Sequence, residues 1–103
     1  MKNNKTTNRA NSKLQPKRIH FEYSLPAAES VAIAGTFNDW RPATAPMIAI
    51  GEGRWAKELL LPPGTYQYRL VVDGEWMCDP TAKERVPNPF GGENAICRVG
   101  NGH

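Results

Sequence analysis

The chain has 103 residues, with 13 basic side chains against 10 acidic, 40% hydrophobic content, nine prolines and nine glycines. That size allows one domain at most, with a modest core, and no apolar run approaches the roughly 18 residues of a membrane-spanning helix. Residues 1–18 hold six basic side chains and no acid, whereas from Ile19 onward seven basic residues face ten acidic ones, which excludes a basic DNA-reading body.

Residues 1–17 read as a disordered basic tail, because an Asn-, Lys- and Thr-rich segment buries too little apolar surface to fold. It contains nothing like the apolar stretch of a secretory leader, so the expected location is cytoplasmic. Such a tail suits a solvated leader better than a nucleic-acid grip, and no membrane contact is expected. Ile19 to Leu25 alternates apolar and polar residues, the period of a half-buried strand, and Pro26 ends it. Ser30 to Gly35 is a short second strand with Val31 and Ile33 on one face. Thr36-Phe37-Asn38-Asp39-Trp40 leaves it as a turn, followed by a Pro-rich stretch from Arg41 to Pro46.

Met47 to Ile50 is a third strand, Gly51-Glu52-Gly53 a hairpin loop, and Arg54 to Leu61 a fourth strand. Alternation leaves its inward face open between Trp55, Lys57, Leu59 and Leu61 on one side and Ala56, Glu58 and Leu60 on the other. After Pro62-Pro63-Gly64, Thr65 to Val72 is the clearest strand. Tyr66, Tyr68, Leu70 and Val72 share one face, and Gln67, Arg69 and Val71 the other. Asp73-Gly74 suits the two positive-φ positions of a type I′ turn, so Glu75 to Cys78 returns as a hairpin partner. Asp79 to Gly92, with three prolines and two glycines, is expected to be an irregular loop, and Asn94 to Val99 closes the domain.

The pattern predicts an all-β fold, a sandwich of about seven short strands. Its expected core is Phe21, Tyr23, Val31, Ile33, Tyr68, Leu70 and Ile96. The domain is expected to span 18–99, with 100–103 a short C-terminal tail. Trp40 and Trp76 lie in turn-rich segments, where a large apolar ring is out of place unless something covers it. Two flat rings on a β scaffold form a platform for sugar C–H faces or for bases. Cys78 and Cys97 lack metal-ligand spacing and read as reduced, partly buried thiols. No metal or cofactor is expected. His20 faces solvent, Asp73 and Glu75 belong to a hairpin turn, and Asp79 reads as a turn former before Pro80. No catalytic pair of carboxylates across a cleft is evident, so an enzyme is not expected.

Four blocks occur in order: Ala34-Gly35-Thr36-Phe37-Asn38-Asp39-Trp40, Leu61 to Trp76, Asp79-Pro80 and Asn94-Ala95-Ile96. Together they resemble the family-48 carbohydrate-binding module, which is the glycogen-binding domain of AMP-activated protein kinase β subunits and the early-set domain of isoamylases and branching enzymes. The resemblance covers residues 18–99. It implies an immunoglobulin-like early-set β-sandwich that binds α-1,4-linked glucans (glycogen, amylose, maltooligosaccharides) without catalysis. It further implies that Trp40 and Trp76 stack on glucose rings, that Arg69 stands where the family commonly has a hydroxyl-binding lysine, and that Asn94 bonds hydroxyls. Phe90 matches an apolar residue that inserts against the sugar coil. Gly92 stands where kinase-type members have threonine, so one hydroxyl contact is missing. The alternative is a protein-interaction module that binds a kinase or a glucan-metabolising enzyme and no sugar.

Overall fold

A computed structural model describes residues 15–100. They form β1 (Lys17–Ser24), β2 (Val31–Gly35), β3 (Ile48–Gly51), β4 (Arg54–Leu61), β5 (Gly64–Val72), β6 (Glu75–Met77), β7 (Arg85–Pro87) and β8 (Glu93–Val99). Two antiparallel sheets pack as a sandwich. One has the order β1-β4-β3; the other runs β2-β5-β8-β7, with β6 also paired to β5. Most of the expected basic tail lies outside the described residues, and Lys17, assigned to it, instead opens β1.

The described residues form eight strands rather than about seven. The additional one, β7, lies inside the segment expected to be irregular and pairs with β8 through Arg85–Ala95, Val86–Asn94 and Pro87–Glu93. It is an edge strand, which is where a sheet tolerates proline's missing N–H. The Asp73-Gly74 turn forms as expected, with φ of 52° and 84°, and returns the chain so that Trp76 lies opposite Val71.

Phe21, Tyr23, Val31, Ile33, Tyr68 and Leu70 are buried between the sheets, joined by Ala45, Met47 and Ala95. Ile33 and Leu70 are fully enclosed, each stabilising the fold by roughly 1.5–3 kcal/mol. Phe21 meets Tyr68 edge to face with centroids 5.4 Å apart. The open face of β4 resolves to Trp55 and Leu59, which pack on the core, while Leu60 is exposed. Ile96 corrects the expected core. The ladder pairs Gln67 with Ile96 and Tyr68 with Ala95, so Ala95, Cys97 and Val99 face inward and Ile96 shares the outer face with Asn94.

Asp79 is more than a turn former. It is 2% exposed, and its Oδ2 accepts hydrogen bonds from Tyr23 Oη at 2.7 Å and Tyr68 Oη at 2.5 Å. Its Oδ1 accepts from the Thr81 N–H and hydroxyl, each at 2.7 Å. Burial disfavours the charge, but the bonds from Tyr68, Tyr23 and Thr81 outweigh it and hold the carboxyl below its ordinary range. Burial first, and then the bond to Asp79, push both phenols up. This cluster ties β1 to β5 across the sandwich.

Candidate functional site

The outer face of the larger sheet is set by β5. Gln67 and Arg69 project away from the Tyr68–Leu70 core face, and Trp76 is opposite Val71 on the same outward side. Extending the β5–β8 ladder one step beyond Tyr68–Ala95 brings Asn94 alongside Arg69.

Trp40 arrives from the loop after β2, and the sequence explains its pose. Gly35 pairs with Tyr68, and a Cβ there would lie 2.4 Å from the Gln67 carbonyl oxygen, so no other residue fits. Asn38 then staples the turn. Its Oδ1 accepts from the Gly35 N–H at 2.9 Å, and its Nδ2 reaches the Ile33 and Arg41 carbonyls at 3.2 and 3.0 Å. The Trp40 N–H donates back to the Gly35 carbonyl at 2.9 Å. Asp39 and Trp40 both adopt positive φ, 55° and 58°, an uncommon state for such residues that persists only where the surroundings enforce it. The backbone is thus strained in order to aim this indole.

Trp40, Arg69, Trp76, Asn88, Pro89, Phe90 and Asn94 line one cleft of about 390 Å³, at the lower end of the roughly 300–1,000 Å³ range of small-molecule sites. All five residues singled out from the sequence therefore converge, from four separate stretches of chain. Trp40 is half-buried, Trp76 is 43% exposed and Phe90 is 94% exposed. Arg69 is the one charged residue of the lining, and its Nε is buried without a hydrogen-bond partner. Asn94 is buried. Such a surface, apolar rings around a few fixed polar atoms, suits a neutral ligand with flat apolar faces and hydroxyl edges.

Gly92 has φ of 83°, and a Cβ there would lie 3.4 Å from Arg69 Nη2. That conformation disfavours a β-branched threonine, while the guanidinium would stand at ordinary contact distance from its Cβ. Sequence reasoning missed Asn38, Asn88 and Gln67. The signal for the first was present, since asparagine in a turn bonds to nearby backbone groups. Asp79 lies apart from the cleft, in the core. His20 is exposed between Glu22, with Nε2 to Oε1 at 2.9 Å, and Glu58. The Glu22 hydrogen bond leads in raising its pKa. Both cysteines are free and half-buried, and burial pushes the Cys97 thiol up. Among the described residues no group of three His, Cys, Asp or Glu could hold a metal ion.

A family profile described as the glycogen recognition site of AMP-activated protein kinase matches residues 15–102. The chain belongs to that family. Two curated relatives carry the likeness further. Protein PTST, chloroplastic, of Arabidopsis thaliana is 34% identical over 68 residues, covering 64% of this chain and 24% of that protein. Cruciform DNA-recognizing protein 1 of Saccharomyces cerevisiae is 33% identical over 76 residues, covering 66% of this chain and 16% of that protein. The chain thus spans a quarter or less of the length of these relatives. In this glycogen-recognition member the Gly35-to-Trp40 turn and the β5–β6 hairpin are the two pieces that present its indoles.

Proposed function

We propose that the cleft binds α-1,4-linked glucan of the glycogen or starch type, without catalysis. Trp40 and Trp76 stack on glucose rings, Arg69 and Asn94 meet hydroxyls, and Phe90 closes over the sugar. The observation that carries the reading is the convergence of these five side chains on one cleft. Membership of a glycogen-recognition family supports it.

The physics sets a weak affinity. Covering about 80 Å² of apolar area per indole at about 25 cal/mol/Å² yields roughly 2 kcal/mol per stack. Adding two or three net hydrogen bonds of about 1 kcal/mol and subtracting the cost of association leaves a Kd of roughly 10 μM to 1 mM for a short oligosaccharide. Longer glucans gain through overlapping sites. The same platform would tether a cytoplasmic partner, such as a kinase or a glucan-metabolising enzyme, to its polysaccharide. The deciding experiment is titration of the folded protein with maltoheptaose. The expected result is saturable binding that Trp76→Ala weakens at least tenfold; no binding at millimolar oligosaccharide would leave the protein-interaction reading in its place.

A further inference from the structure

Phe90 sits at the tip of a turn in which both following residues, Gly91 and Gly92, have positive φ. A nearly fully exposed ring on two glycines has nothing of its own to fix its position. Every anchor passes through Asn88. The Asn88 N–H donates to the Gly92 carbonyl at 2.9 Å, and the Gly91 N–H donates to the Asn88 carbonyl at 3.0 Å. The Phe90 N–H donates to Asn88 Oδ1 at 2.8 Å.

That last bond sets a direction. A backbone N–H can only donate, so Asn88 must present its oxygen to Phe90 and its Nδ2 to Asn94. Asn88 Nδ2 donates to Asn94 Oδ1 at 2.9 Å, which turns Asn94 Nδ2 toward Gln67, where it donates to Oε1 at 3.0 Å. Three amides are thereby locked in one orientation, from the Phe90 turn through β8 to the outer face of β5. Asn94 has both ends of its amide engaged within the protein, leaving one donor hydrogen and one lone pair for a ligand. Gln67 is not part of the cleft lining.

We propose that Gln67, Asn94 and Asn88 form a positioning relay that holds Phe90 over the cleft, so that Gln67 governs ligand affinity without touching the ligand. The relay sets how far the rim ring stands from the indoles, and therefore how thick a sugar coil the cleft accepts. Its role in affinity rests on the glucan reading above; its geometry does not.

The test separates the two. Amide hydrogen exchange at Phe90, measured by NMR without sugar, reads the relay directly. Gln67→Ala leaves Asn94 Nδ2 without its acceptor and is expected to speed Phe90 exchange about threefold or more, whereas Gln67→Glu keeps an acceptor and leaves the rate as in the wild type. Maltoheptaose titration then reads the function. Gln67→Ala is expected to weaken binding about threefold, with rescue in Gln67→Glu and no further loss when added to Phe90→Ala, because the two act through one ring. Unchanged Phe90 exchange in Gln67→Ala overturns the relay. A Gln67→Ala loss that persists in full on the Phe90→Ala background overturns its action through Phe90. Altered exchange in a protein that binds no maltoheptaose keeps the relay, overturns its link to glucan affinity and removes the glucan reading.

Discussion

The two faces of β5 handle polar atoms in opposite ways. Toward the core, Tyr68 is buried and its hydroxyl ends on Asp79, whose two oxygens accept four hydrogen bonds from Tyr23, Tyr68 and Thr81. Toward solvent, Arg69 leaves its Nε unpartnered, and Trp76 and Phe90 stay uncovered beside it. A buried polar group without a partner is costly, and so is an apolar ring left in water. The inner face is complete without a ligand. The outer face has unmet needs of both kinds in one cleft, which is the energetic profile of a binding surface.

The largest expected effect lies on the inner face. Tyr68→Ala should cost roughly 3–5 kcal/mol of stability in urea denaturation, the range for a large aromatic lost from a packed interior. Tyr68→Phe keeps the ring and should cost about 1.5–3 kcal/mol, the range for a hydrogen bond to a charged group, here the buried Asp79 carboxylate. A near-neutral Tyr68→Ala would break the comparison, because the cleft would then be no less essential to the fold than the core.

Asp79 sharpens it through pH. Its folded pKa lies below the ordinary carboxylate value of about 3.9, so its charge stabilises the fold above that value, and the contribution is lost as pH falls through the folded pKa. The buried phenols work at the other end. Burial and the bond to Asp79 raise them, so their contribution is complete below about pH 10 and is lost as pH rises toward their folded values. Asp79→Asn should cost about 2–3 kcal/mol near neutrality, and its deficit should narrow below about pH 4. Chemical denaturation from pH 2 to 7 measures both, and a deficit constant over that range would mean that the charge is not what the tyrosines hold.

These inner-face residues show what a linear reading recovers. Alternation along Thr65 to Val72 placed Tyr68 and Leu70 inside and Arg69 outside, because a strand's period of two is a local property. The same rule, applied to β8, conflicts with an inward Ile96 once Asn94 faces the cleft, since the two are two residues apart. Asp79 was legible only as a turn residue, because its tyrosine partners are 56 and 11 positions away. The short β7 was hidden by Pro87 within it, and the Asn88–Asn94–Gln67 chain by long-range pairing. Trp40 and Trp76 are legible as rings out of place in turns and Arg69 as an outward strand position, whereas Phe90 and Asn94 are reached only through the family resemblance, because no local pattern marks them.

On the outer face the signs reverse. Trp76→Ala should cut maltoheptaose affinity at least tenfold, since roughly 2 kcal/mol exceeds the 1.4 kcal/mol of a factor of ten. Its unfolding free energy should stay within about 0.5 kcal/mol of wild type, as for exposed positions away from the core. A substantial stability loss would mean that Trp76 serves the fold, and the contrast between the two faces would fail there.

The smallest expected effect is the most discriminating for ligand class. A glucan is uncharged, so its binding releases no counterions, and stacking and hydroxyl contacts are short-ranged. Maltoheptaose affinity should therefore change less than about twofold between 50 and 500 mM salt. A nucleic acid could also stack on two indoles, yet it would have to be held electrostatically. Arg69 is the one charged residue of the cleft lining, while six basic residues crowd positions 1–18. Binding that drew on them would weaken by orders of magnitude over the same range and would survive loss of both tryptophans. Titrations at the two salt concentrations, on the wild type and on the Trp40→Ala/Trp76→Ala pair, place the affinity either in the cleft or in the N-terminal charge.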